Sequence, residues 1–189
     1  MAQLAKDIGS LTFKPNFLLE KPELLARVGY IAAQWSEIEV LLGLLLANFL
    51  NLERKAALEM YMSFTNTYPR EGLLKAAAST KLEKEIFDDF CDVYLKEIKN
   101  CAKQRNKVVH SGWATSNNYP DALIRIPLDK RVEFQEMSRE IRVQSHSHSF
   151  KNFAQTLEVW TVKDFEDVSD KLEDLSCRLT ATGKYHIKR

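Results

Sequence analysis

Apolar residues return at Leu24, Val28, Ile31, Trp35, Ile38, Leu42, Leu45 and Phe49, alternating steps of three and four. That spacing keeps them on one side of a helix and predicts a long helix over Pro22–Leu50, with proline in the first turn, where it is tolerated. Its second half, Val40–Leu50, is apolar nearly all round, which marks a buried central element. At eleven residues this run is shorter than the roughly 20 of a membrane span. A second helix is expected over Glu53–Phe64, then a turn at Asn66–Pro69 and a short helix from Pro69 to Ala78. Ser79 and Thr80 are placed to cap the next helix, about Lys81–His110, which Gly112 would end in a left-handed cap.

Beyond this point the period changes. Ser116–Pro120 reads as a loop, and Ala122–Pro127, Val132–Met137 and Gln155–Val162 as short alternating strands. Thr161 and Asp164 have capping-box spacing and open a last helix, about Val162–Thr182. It points Phe165, Val168, Leu172, Leu175 and Leu179 inward, and Gly183 is expected to close it. Residues 1–21 carry little periodicity and read as an irregular lead-in; 22–189 read as one domain. The expected class is all-α, an antiparallel helical bundle with a small β insertion at about 120–162, before the last helix.

Composition alters this picture little. The chain is 45% hydrophobic and 28% charged with a net charge of +1, so no global field points to nucleic acid or a membrane. Three cysteines without CxxC spacing suit reduced thiols, and with no signal-peptide pattern the expected location is cytoplasmic. The sequence holds no glycine-rich phosphate loop, HExxH or nucleophile elbow, and no cofactor or metal is implied.

The candidate chemistry gathers at Arg105-Asn106-Lys107-Val108-Val109-His110. At about 100° per residue, Phe87, Cys91, Tyr94, Ile98, Cys101 and Val109 share one face and Arg105 falls in its middle. A permanent charge there must be paired, lie at a subunit interface or do chemistry. Asn106 and His110 are one turn apart. An imidazole can move a proton and a guanidinium can grip phosphate oxygens, a pairing suited to phosphodiester cleavage without metal. The plain alternative is an ordinary helix end, with Arg105 ion-paired and His110 meeting terminal carbonyls. Glu39 lies among apolar neighbours on the first helix, where pairing with Arg105 would satisfy both charges, either in support of a site or as structure alone. Lys96, Lys99, Lys103 and Lys107 form a stripe toward His110 that reads as an RNA-backbone contact or as a solvated face. Trp113, Tyr119 and Trp160 are candidates to stack bases, with packing on the bundle the other reading of Trp160. His146 and His148 read as a polar loop, because no further ligands complete a metal site.

Arg105-Asn106-x-x-x-His110 resembles the R-x(4–6)-H signature of HEPN domains, in the form where Asn follows Arg. Trp35-x-x-Ile38-Glu39 in a leucine-rich first helix, Gly112-Trp113 after the motif and a capped closing helix extend the resemblance over Pro22–Thr182. It implies a bundle that dimerises so that two motifs face one cleft, with the apolar face around Arg105 in the interface. It also implies a metal-independent endoribonuclease leaving 2′,3′-cyclic phosphate ends, of a toxin, phage-defence or RNA-processing system. Arg105 and His110 would be catalytic and Asn106 would position, with RNA, a second copy of the chain and an antitoxin or nucleotidyltransferase as partners, and no membrane. The alternative within the family is a non-catalytic module binding a nucleotide, an RNA or a protein.

Overall fold

The computed structural model describes residues 2–6, 8–9, 11–13, 17–141 and 152–185; the His146/His148 pair and the loop around it lie outside the described residues. The chain is mostly helical with a small antiparallel sheet, as expected in outline. It forms two compact units, each assembled from segments distant in sequence.

The first unit comprises Met1–Ile31 and Asn106–Val168. Its five-stranded sheet runs in the order β1 (Gln3–Leu4), β5 (Glu158–Trp160), β4 (Tyr119–Ile126), β3 (Gly112–Ser116) and β2 (Leu11–Thr12), with every neighbouring pair antiparallel. Alternation along β4 divides its side chains between two faces. Ala122, Ile124 and Ile126 join Ala5, Ile8, Phe153, Leu157 and Val159 in one apolar cluster. Helix α6 (Arg131–Ile141) packs Phe134 onto that cluster, stacked on Phe153 at 5.9 Å. Elsewhere in the unit Trp113 and Trp160 meet edge to face at 5.6 Å. Phe165, at the start of helix α7 (Val162–Tyr185), lies 5.3 and 5.2 Å from the two indoles.

The lead-in is therefore not irregular. It supplies β1, β2 and a 3-10 turn at Phe17–Glu20, and the strands exist through pairing with partners more than a hundred positions away, Gln3 with Val159 and Leu11 with Ser116. Ser116 Oγ fastens the same region by donating to the Ile8 carbonyl. The expected strand Val132–Met137 is helical within α6, and Val132 is 63% exposed, so its apolar–polar alternation does not track burial. The Ser116–Pro120 loop shrinks to a two-residue turn at Asn117–Asn118, because Ser116 ends β3 and Tyr119 begins β4.

The second unit comprises Ala32–Arg105 and Ser169–Arg189. It holds α2 (Arg54–Ser63), α3 (Thr67–Lys81), α4 (Lys84–Asp89) and a π-helical turn at Phe90–Leu95. Helices α1 (Pro22–Leu50), α5 (Lys96–Val109) and α7 contribute residues to both units. Ile38, Leu42, Leu46, Leu74, Ala78 and Leu175 are buried, and Phe49 meets Phe90 edge-on at 5.5 Å. By length and composition α1 could cross a membrane. Along it Leu24, Ile31, Trp35, Ile38, Leu42, Leu45 and Phe49 are buried.

Helix ends follow local chemistry. Asn51 adopts φ 53° and the Leu52 N–H donates to the Ala47 carbonyl at 3.0 Å, a Schellman stop for α1. Glu53 caps α2 by accepting from the Lys55 and Ala56 N–H groups. Ser79 and Thr80 do not cap the following helix; they lie inside α3, and their hydroxyls donate to the Ala76 and Ala77 carbonyls. Asp164 accepts from the Thr161 N–H at 2.9 Å, the expected cap of α7, and that helix runs on through Gly183 to Tyr185.

Two glycines of α1 set opposite expectations. A Cβ on Gly43 would lie 2.6 Å from Leu58 Cδ1 and 3.2 Å from Leu58 Cα, whereas one on Gly29 meets nothing within 4 Å. Gly43→Val should lower the stability measured by chemical denaturation by about 1–3 kcal/mol through overpacking. Gly29→Ala should raise it by about 0.5–1 kcal/mol through helix propensity.

Candidate functional site

The motif occupies the last turn of α5, with His110 the first residue beyond it. The boundary between the two units falls after Arg105, so Arg105 belongs to the second unit and Asn106 and His110 to the first. Arg105 is half-buried, and its guanidinium carbon stands 5.9 Å from the centre of the Trp35 ring, a cation–π contact. Asn106 and His110 are both exposed, one turn apart, and the His110 N–H donates to the Asn106 carbonyl at 3.0 Å.

The expected glycine cap after His110 does not form. Among the described residues the only positive-φ glycine is Gly9, and Gly112 opens β3. Trp113 does the capping: its buried Nε1 donates to the Val108 carbonyl at 3.1 Å, supplying a donor that a helix end lacks. Ser111 Oγ accepts from Arg125 Nε at 2.8 Å. Arg125 sits opposite Glu158 in the β4–β5 register, with Nη1 2.9 Å from Glu158 Oε2. Glu158 also accepts from Trp160 Nε1 at 3.0 Å and lies 3.6 Å from Lys107 Nζ. Burial pushes the Glu158 carboxyl up; the Trp160 hydrogen bond and the Arg125 and Lys107 charges outweigh it and hold the carboxyl below its ordinary value. Sequence reasoning missed this cluster. Its signal is one charge inside each of two apolar runs, Arg125 in Ala122–Ile126 and Glu158 in Leu157–Trp160.

Glu39 does not take Arg105 as its ion-pair partner. It pairs with Arg70, whose Nε donates to the Phe64 carbonyl at 2.7 Å and whose guanidinium carbon lies 5.0 Å from the centre of the Tyr61 ring. The carboxylate is satisfied from α3, one turn before buried Leu74 on the same face. Burial is the main cause that pushes the Tyr61 hydroxyl up to about 12.

Lysines of the stripe are largely neutralised. Lys96 lies 3.2 Å from Asp92, Lys99 3.7 Å from Glu71 and Lys107 3.6 Å from Glu158, and Lys103 is exposed. The aromatic candidates face inward: Trp113 and Trp160 are buried and Tyr119 packs against the sheet cluster. None presents the open ring that base stacking needs. The three cysteines are free thiols. The chain matches no known family, no curated protein and no solved structure.

Glu158 and Tyr61 give the stability opposite pH dependences. Glu158 has a folded-state pKa below its unfolded value, so its contribution is present at neutral pH and fades as the pH falls below about 4.5. Glu158→Gln should lower Tm at pH 7, and the gap from wild type should close on acidification. Tyr61 has a raised folded-state pKa, so its contribution holds up to about pH 10 and is lost as the pH rises toward about 12. In a spectrophotometric titration of tyrosinate, Tyr61→Phe should remove the last-titrating tyrosine.

Proposed function

We propose that the chain is a metal-independent endoribonuclease of HEPN type, acting as a homodimer through Arg105, Asn106 and His110. The observation that supports it most is the exposure of Asn106 and His110, one turn apart, on a helix end whose neighbouring residues are tied to the sheet. On this reading His110 takes the proton from a ribose 2′-OH as the oxygen attacks phosphorus. The P–O2′ bond forms and the P–O5′ bond breaks. The leaving 5′-oxygen takes a proton from a general acid, and the products are a 2′,3′-cyclic phosphate and a 5′-hydroxyl. Arg105 offsets the charge growing on the phosphoryl oxygens, and the Asn106 amide orients the phosphate. Two motifs facing one cleft in a homodimer would provide both a base and an acid.

A non-catalytic binding module is the second reading. The stacking of Arg105 over Trp35 favours it, because that contact gives the arginine a packing role of its own. Mixed tRNA and mRNA incubated with the purified protein in EDTA separate the two. His110→Ala should reduce cleavage about 10²–10⁴-fold, the range of a lost general acid–base group. Its Tm should stay close to wild type because the side chain is exposed. Arg105→Ala should reduce cleavage too, whereas loss of Tm with no cleavage by the folded wild type would favour the binding module.

A further inference from the structure

We infer that Ser111, gripped by Arg125, and Trp113 are positioning residues that fix the backbone on both sides of His110, so that its imidazole meets substrate in one orientation. This rests on the reading of His110 as the reacting histidine. A helix end leaves its last carbonyls without helical partners and tends to fray. Here each side of His110 is tied down. Two positions before it, the Val108 carbonyl accepts from Trp113 Nε1 at 3.1 Å. That indole is buried and wedged by Trp160 and Phe165 at 5.6 and 5.3 Å. One position after it, Ser111 Oγ accepts from Arg125 Nε at 2.8 Å.

The two ties converge. Arg125 is held by Glu158 at 2.9 Å, and that carboxylate also takes the Trp160 indole and reaches Lys107, three positions before His110. Lys107, Val108 and Ser111 are thus linked to three neighbouring strands, β5, β3 and β4 respectively, while His110 itself is exposed. An exposed side chain on an immobilised backbone is the arrangement a proton-transfer group needs, since misplacement of about 1 Å can cost 10²-fold in rate. A purely structural helix stop could use the same bonds. The roles part where loosening Ser111 disturbs His110 without unfolding the chain.

The test uses the full chain with Ser111→Ala, Ser111→Thr and Arg125→Lys, which keeps the charge toward Glu158 but loses the Nε donor. The readouts are Tm, the ¹⁵N order parameter of the His110 amide, and kcat and KM for RNA cleavage. With Tm within about 3 °C of wild type, Ser111→Ala should lower the order parameter from about 0.85 toward about 0.6. It should also lower kcat about 10-fold at unchanged KM, Arg125→Lys should behave alike, and Ser111→Thr should restore both. An unchanged order parameter at His110 in folded Ser111→Ala overturns the inference whether or not the protein cleaves RNA. So does a kcat loss that follows Tm alone and is not rescued by threonine. A fall in order with a wild type that cuts no RNA upholds the anchoring and overturns the ribonuclease reading instead.

Discussion

The hydrogen bond from the Trp113 indole to the Val108 carbonyl joins two groups that would otherwise each carry a penalty. A buried indole N–H without an acceptor is costly, and so is a helix-terminal carbonyl shut away from water. One bond settles both, and it allows α5 to end and β3 to begin within three residues. The indole is in turn fixed by Trp160 of β5 and Phe165 of α7, so the order of the sheet and the close of the motif helix are one packing problem. Arg125 and Glu158 complete it from neighbouring strands, where cross-strand pairing sets their approach. The exposed Asn106 and His110 stand on this base.

Helices with a strong period were legible in the chain. The apolar residues of α1 recur regularly for 29 residues, and the Thr161–Asp164 pair marks the start of α7. Strands β4 and β5 were visible as apolar runs. The two-residue strands β1 and β2 were not, because they carry no pattern of their own and depend on distant partners. A six-residue alternation around Phe134 looked like a strand and is a helix, since a short pattern fits either period.

The site was legible in part. Arg105 was expected on the apolar face and is half-buried there. Ile98 and Cys101 are buried as that face required, but its earlier positions are shifted: Phe87, Cys91 and Tyr94 are half-buried, whereas Phe90 and Leu95, five apart, are buried. The π-helical turn at Phe90–Leu95 breaks the regular advance of about 100° per residue on which the assignment depended. Glu39 was rightly read as needing a cation. Its partner Arg70 lies 31 positions away, and no local spacing announces a pair set by tertiary packing. The capping role of Trp113 was equally hidden, because an indole can reach a helix carbonyl only once the following strand has turned back.

These observations make the end of α5 a fixed platform for an exposed imidazole, and the proposed chemistry asks one thing of its substrate, a 2′-hydroxyl beside the scissile phosphate. The most direct measurement compares matched oligonucleotides of one sequence, all-ribose and with 2′-O-methyl groups throughout, incubated with the wild-type protein in EDTA and followed by ³¹P NMR of the products. The account predicts a 2′,3′-cyclic phosphate from the ribose strand and an intact 2′-O-methyl strand. Equal cleavage of both strands, or products ending in a linear 3′-phosphate from the start, would contradict it.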